Sequence, residues 1–267
     1  YSFASADENG GTWKPILIDE GATIPIEAPE ETSSASYQAE ILAVKSSMAE
    51  INASQKRALA YWGNNAVVRW NEINLIPGPN DDGTYTLPNP NNPDGPPGFP
   101  FAHPPYACRA LAYLSVAQFD GLISAWHYKY LYNRAAPYQQ DGSIAYAYEP
   151  NEIPSYPSDG AVLARVSKKV LSAMFPLEIE YLQKMEEEHL QSLLLSGGNV
   201  PSDISAGTAI GDEISMLALA RAASDGMKNA QAPKAVSDSI KAAAFERFGW
   251  QWDNLEVPVR PVGLTPL

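Results

Sequence analysis

The chain has 267 residues and sets 18 Lys and Arg against 31 Asp and Glu, a formal net charge of −13 with a pI near 4.6. That balance excludes nucleic acid as a partner, because binding a phosphate backbone needs clustered cations that the sequence does not have. An anionic ligand would need a local basic pocket set against the overall field. Hydrophobic residues at 45% and aromatic residues at 10% supply a sizeable core, enough for one large helical domain or two small ones.

Cys108 is the sole cysteine, so no intrachain disulfide can form. A core of this size does not need one, and the count decides nothing about export. No apolar run has the length of a membrane span. The sequence opens on Tyr1 rather than Met, and the expectation drawn from this is an exported protein whose targeting segment has been removed.

Residues 1–36 read as an irregular N-terminal segment, broken by Gly10, Gly11, Pro15, Pro25 and Pro29. From Tyr37 to Ile76 the pattern turns helical, with Ser54 as a candidate cap for a helix that carries Leu59, Trp62 and Trp70 inward. Residues 77–105 are crowded with Pro, Gly, Asn and Asp and read as a long surface loop, of the kind that often covers a cleft. Ala107–Asn133 is predicted as a long helix, with Leu111, Leu114, Gln118, Leu122, Ala125 and Trp126 at helical spacing.

A second loop, 134–156, is rich in Tyr and Pro. Tyr128, Tyr130, Tyr132, Tyr138, Tyr146 and Tyr148 gather around it, suited either to packing the loops or to contacting a sugar or other organic molecule. After Ser158 an i+4 stripe of Val162, Val166, Val170 and Met174 predicts a helix that ends at Phe175-Pro176. A further helix follows over 177–195, then one capped by Ser202 or Asp203 that reaches about Lys228, and a last one over 237–248. No alternating strand pattern and no repeat occurs. The reading is all-α, a single helical domain over 37–267 with long irregular loops.

The chemistry visible without a family is sparse. The three histidines, His103, His127 and His189, lack the spacings of zinc sites, so no metal is expected. Glu186, Glu187 and Glu188 are consecutive on a helix and project roughly 100° apart, which reads as a solvated face rather than a ligand set. Asn80-Asp81-Asp82-Gly83 lacks the ligand pattern of a calcium loop. Ser158 has no recognisable triad around it.

Three short stretches nevertheless match a pattern in order. Lys129 and Pro137 fit the ends of Lys-x6-Arg-Pro, with Ala136 where the Arg belongs. Pro157 and Ser158 fit Pro-Ser-Gly-His, with Asp159 and Gly160 in the last two places. Ser192 and Asp203 fit Ser-Arg-x5-His-x3-Asp, with Leu193 for the Arg and Asn199 for the His. On these motifs, and on the surrounding Phe175-Pro176 and Ile204-Ser205-Ala206-Gly207, the chain resembles the bacterial vanadium haloperoxidase and type 2 phosphatidic acid phosphatase superfamily from about Ala53 onward.

The resemblance implies a helical bundle whose motifs cradle phosphate or vanadate. In that family one Lys, two Arg and a Ser hold the oxyanion, one His attacks or ligates it, and the other His moves a proton. Here both histidines and both arginines are replaced, so no catalytic residue is expected intact. The remnant of the anion pocket is Lys129, Arg134, Ala136, Ser158, Asp159, Gly160, Ser192, Leu193, Asn199 and Asp203.

A buried Lys129 or Arg134 without an anion needs an internal partner, and Asp159 or Asp203 is expected to supply it. The leading expectation is a catalytically inactive member retained for binding or assembly, with no cofactor and an unidentified small molecule or protein as partner. Two alternatives stay open. One is a phosphatase or haloperoxidase with an unconventional site, for instance through His127 and Arg134, in which case vanadate returns as cofactor. The other is a structural role as a homodimer. The resemblance adds a bacterial, periplasmic or cell-surface setting.

Overall fold

The computed structural model describes residues 8–75, 104–227 and 234–250. The loop predicted over 77–105 lies, for 77–103, outside the described residues, as do His103 and the 80–83 turn. Among the described residues there is no strand. These residues form nine α-helices, in order: α1 Ala35–Met48, α2 Ala53–Trp62, α3 Ala66–Leu75, α4 Pro104–Tyr132, α5 Pro137–Gln140, α6 Asp159–Met174, α7 Ile179–Leu195, α8 Pro201–Ser224 and α9 Lys234–Phe248. None of the described helices is long and apolar enough to cross a membrane.

The centre of the bundle is α6, packed against α3, α4, α7 and α8. Its predicted stripe of Val162, Val166, Val170 and Met174 is fully buried. Each such side chain adds about 1.5–3 kcal/mol of burial. Two glycines on α8 set how closely it approaches. A Cβ on Gly207 would fall 2.2 Å from the Ser158 carbonyl oxygen, and one on Gly211 would fall 2.7 Å from Arg165 Cβ. This close crossing seats the start of α8 beside the start of α6, where the Ser158 N–H donates to the Asp203 carbonyl at 2.9 Å.

Helix starts differ from the sequence expectation where a better cap competes. Asn52 rather than Ser54 caps α2, its side chain accepting from Gln55 N while Gln55 reciprocates to the Asn52 N–H. Pro201 starts α8 because its fixed φ suits the first helical position. Asp203 then takes the Val200 N–H at 2.8 Å from inside the first turn. Pro176–Glu178 form a 3-10 turn, so α7 begins two residues later than predicted. By contrast α6 starts after Ser158 as expected, and Ser158 caps it by accepting from Ala161 N.

The irregular N-terminal segment is docked along α4. The Asp120 carboxylate, fully buried, accepts from the Ile16, Leu17 and Ile18 amides at 2.5–3.2 Å. Further along, Ser124 Oγ donates to the Gly21 carbonyl and Tyr128 Oη to that of Ala22. Gly11 and Gly21 lie against His127, where a Cβ on Gly11 would collide with its backbone and one on Gly21 with its Cβ.

Candidate functional site

A cavity of about 300 Å³ opens between the starts of α3 and α6, the C-terminal part of α7 and the 134–156 loop. Of the ten residues singled out in the sequence, six line it: Lys129, Ala136, Asp159, Gly160, Leu193 and Asn199. The other four, Arg134, Ser158, Ser192 and Asp203, are buried in its supporting wall. His127 is on the α4 face under the N-terminal segment and does not reach the cavity.

Lys129 is 2% exposed and its ammonium is fully engaged. It donates to the carbonyl of Pro154 at 2.7 Å and of Ser155 at 3.3 Å, and it lies 3.4 Å from Asp159 Oδ1. Asp159 sits in the first turn of α6, where the peptide dipoles favour a negative charge. Its side chain keeps about a third of its surface, turned to the cavity.

Arg134 follows the end of α4 and swings away from the cavity. Its guanidinium pairs with Asp203, donates to Ser202 Oγ at 3.0 Å, and lies over the rings of Tyr37 and Tyr156. Asp203 also accepts from Ser155 Oγ and the Val200 amide. Both expected internal pairs are therefore present: Lys129 with Asp159, and Arg134 with Asp203.

Asn199 is held at both ends. Its Oδ1 accepts from Ser158 Oγ at 3.2 Å and its Nδ2 donates to the Ser155 carbonyl at 3.1 Å. Leu193 fills the space over Gly160, where a Cβ would meet Leu193 Cδ2 at 2.5 Å. Ser192 Oγ turns back to donate to the His189 carbonyl at 2.7 Å.

The remaining lining is aromatic. Tyr138 and Tyr146 stack at 4.2 Å between centroids, with Tyr148 edge-on to Tyr146. Tyr148 anchors to the Leu59 carbonyl, and burial pushes its phenol up to about 12. These tyrosines line a cavity as well as packing the loop.

The Glu186–Glu188 stretch is not a uniformly solvated face. Glu186 is buried beside Arg165, 2.9 Å away, and burial raises its carboxyl pKa above the usual range. Glu188 accepts from Trp62 Nε1 at 3.0 Å, and only Glu187 points fully outward. The physical reason is register. Leu182, Glu186, His189 and Ser192 share the inward face of α7.

His189 is the cavity residue that the sequence reading passed over. It is buried and lines the cavity, stacked on Trp62 at 4.4 Å. Its Nδ1 accepts the Trp70 indole proton at 3.1 Å. Burial, against a smaller opposing effect of the Asp159 charge, drives its pKa down to about 3, so the ring is neutral. Among the described residues no group of His, Cys, Asp and Glu is arranged to hold a metal ion.

No family model and no curated protein matches the sequence. A solved structure does, that of a bacterial vanadium-dependent iodoperoxidase. The two share a TM-score of 0.62 and 18% identity over 82% of this chain. The chain has the haloperoxidase fold. It spans 57% of the iodoperoxidase, and the likeness concerns the path of the helices. In this haloperoxidase-type bundle the cavity lies where the three stretches singled out in the sequence meet, at the end of α4, the start of α6 and the α7–α8 connection.

Proposed function

We propose that this is a haloperoxidase-fold protein that has given up oxyanion chemistry and uses the former anion pocket as a binding cavity. The observation that carries the reading is that the two remaining cations, Lys129 and Arg134, already have carboxylate partners. A phosphate or vanadate entering the cavity would have to displace Asp159 from Lys129 while sharing a small space with that carboxylate, and like charges repel. Arg134 is turned away, and Leu193 presents methyl groups where a donor would be needed. Vanadate does not fit these residues.

Nor do the residues supply a nucleophile or a proton donor in the matching places. The Asn199 carboxamide is not nucleophilic near neutral pH, and both of its polar atoms are already hydrogen-bonded. Gly160 has no side chain to move a proton, a role worth about 10²–10⁴-fold where present. His189, though neutral and in the cavity, shares one nitrogen with Trp70.

The experiment is a calorimetric titration with orthovanadate and with phosphate, run beside an assay on a chromogenic phosphate monoester. The reading expects no heat up to about 1 mM oxyanion and no turnover. Saturable micromolar vanadate binding, or hydrolysis that vanadate inhibits, would overturn it.

A further inference from the structure

We infer that the cavity takes an uncharged, hydroxyl-rich ring, a sugar or cyclic polyol, held by Asp159 as acceptor and His189 as donor against the tyrosine wall. This rests on the reading of the pocket as a binding cavity and names the ligand class.

The polar groups of the cavity select the ligand class. Within the cavity wall, the Lys129 ammonium has its three donors engaged by protein, and both polar atoms of Asn199 are already tied to Ser158 and Ser155. Asp159 and His189 each keep a function open. Asp159 uses Oδ1 on Lys129 and keeps a partly exposed carboxylate edge toward the cavity. His189 receives the Trp70 proton on Nδ1, which fixes the ring's own proton on Nε2, and no described residue accepts it. An N–H that no protein group accepts, on a residue lining the cavity, is a donor that a ligand there can use.

A ligand that satisfies both must donate and accept within a small space, which is what hydroxyl groups do. An organic cation would donate to Asp159 but leave His189 Nε2–H unmatched. It would also bring a charge into a cavity where Lys129 and Asp159 already cancel. An anion meets the Asp159 carboxylate. The neutral class is the one without a mismatch.

The apolar surfaces agree. The stacked Tyr138–Tyr146 pair and the edge-on Tyr148 form one wall, with Leu163 and Leu193 beside them. Aromatic rings give the C–H faces of a sugar a flat contact, while their hydroxyl ends tolerate water. A volume of about 300 Å³ is at the lower end of ligand pockets and suits one ring rather than an extended chain.

The test uses the whole chain on an array of neutral glycans, with calorimetry of the best binder and of methyl α-glucoside, myo-inositol, tetramethylammonium and phosphate as defined probes. Trp62, stacked on His189 at the cavity, gives a second readout through a saturable emission change that Trp62→Phe abolishes. A neutral saccharide or polyol is expected to bind, with Asp159→Ala and His189→Phe each weakening it at least about tenfold. Tyr146→Ser is expected to weaken it as well, and circular dichroism of each variant shows whether it is folded.

Binding that survives both Asp159→Ala and His189→Phe would overturn the assignment. So would tetramethylammonium binding in preference to every glycan, or no binding of any neutral probe up to about 10 mM; in each of these cases the oxyanion-free reading would stand. Phosphate binding would instead overturn both.

Discussion

Leu193 occupies the space that a side chain on residue 160 would need: a Cβ built on Gly160 lies 2.5 Å from Leu193 Cδ2 and 3.1 Å from Cδ1. Two residues singled out in the sequence thus form one packing contact. Gly160→His is expected to destabilise the fold by about 1–2 kcal/mol, the lower end of overpacking because Leu193 can turn its methyl groups aside. Adding Leu193→Ala should recover most of that loss. A double-mutant cycle in urea reads the coupling; additive effects would mean that the two side chains do not meet.

Replacing Asp159 tests whether the internal carboxylate is what keeps oxyanions out. In Asp159→Asn, Lys129 keeps the Pro154 and Ser155 carbonyls but loses its negative partner. Phosphate binding should then rise at least about tenfold over the parent and weaken again with salt. Calorimetry at two ionic strengths measures it. Unchanged phosphate affinity would show that the Asp159 charge is not what excludes the anion.

Arg134 and Asp203 call for a different expectation, since both are buried. Asp203→Ala strands a guanidinium whose Nε and Nη1 already lack hydrogen-bond partners, and also frees the Val200 amide and Ser155 Oγ. A loss of about 3–5 kcal/mol is expected, because an unpaired buried charge is far worse than no pair at all. Arg134→Met combined with Asp203→Leu should cost much less. Chemical denaturation of the single and double variants decides it.

Acid should destabilise this protein earlier than ordinary carboxylates would. His189 is held at about 3 when folded, by burial, against 6.5 in the unfolded chain. Between those values the unfolded state binds the extra proton, so stability rises with pH across the window and is complete above about 6.5. The expected slope approaches about 1.4 kcal/mol per pH unit below pH 6. Glu186, raised by burial, acts with opposite sign: its contribution is lost as pH rises above its unfolded value. The lowered Asp141 and Asp225, near 2, act only at lower pH. Comparing unfolding at pH 5 and pH 7 in the parent and in His189→Gln isolates the histidine, whose removal should flatten the slope.

Much of this was legible in the sequence because the periodicities are local. The Val162–Met174 stripe and the helix start after Ser158 need no tertiary knowledge, and the internal ion pairs follow from the cost of leaving Lys129 or Arg134 unmatched in a core. What escaped depends on partners far along the chain. His189 and Glu186 look solvated beside Glu187 and Glu188, and only the inward register shared with Leu182 hints otherwise. Their partners Trp70, Trp62 and Arg165 come from α3, α2 and α6. The tyrosine wall had two readings in the sequence because loop geometry has no period.

Asp120 is the plainest case of such a hidden partner, an acidic residue in an otherwise apolar stretch of α4. Its carboxylate gathers three consecutive amides of a segment more than a hundred residues away, holding Ile16–Ile18 against the bundle. Asp120→Ala leaves those amides without an acceptor and removes a charge-assisted contact. The expected cost is about 2–4 kcal/mol, most of it confined to the segment rather than to the α6 core. Hydrogen exchange should show Ile16, Leu17 and Ile18 losing protection while Val166 and Val170 keep theirs, and limited proteolysis should begin within residues 8–30. Uniform loss of protection across α6 would mean that the segment is a cooperative part of the core. Unchanged protection at Ile16–Ile18 would mean that the Ser124 and Tyr128 contacts alone suffice to hold it.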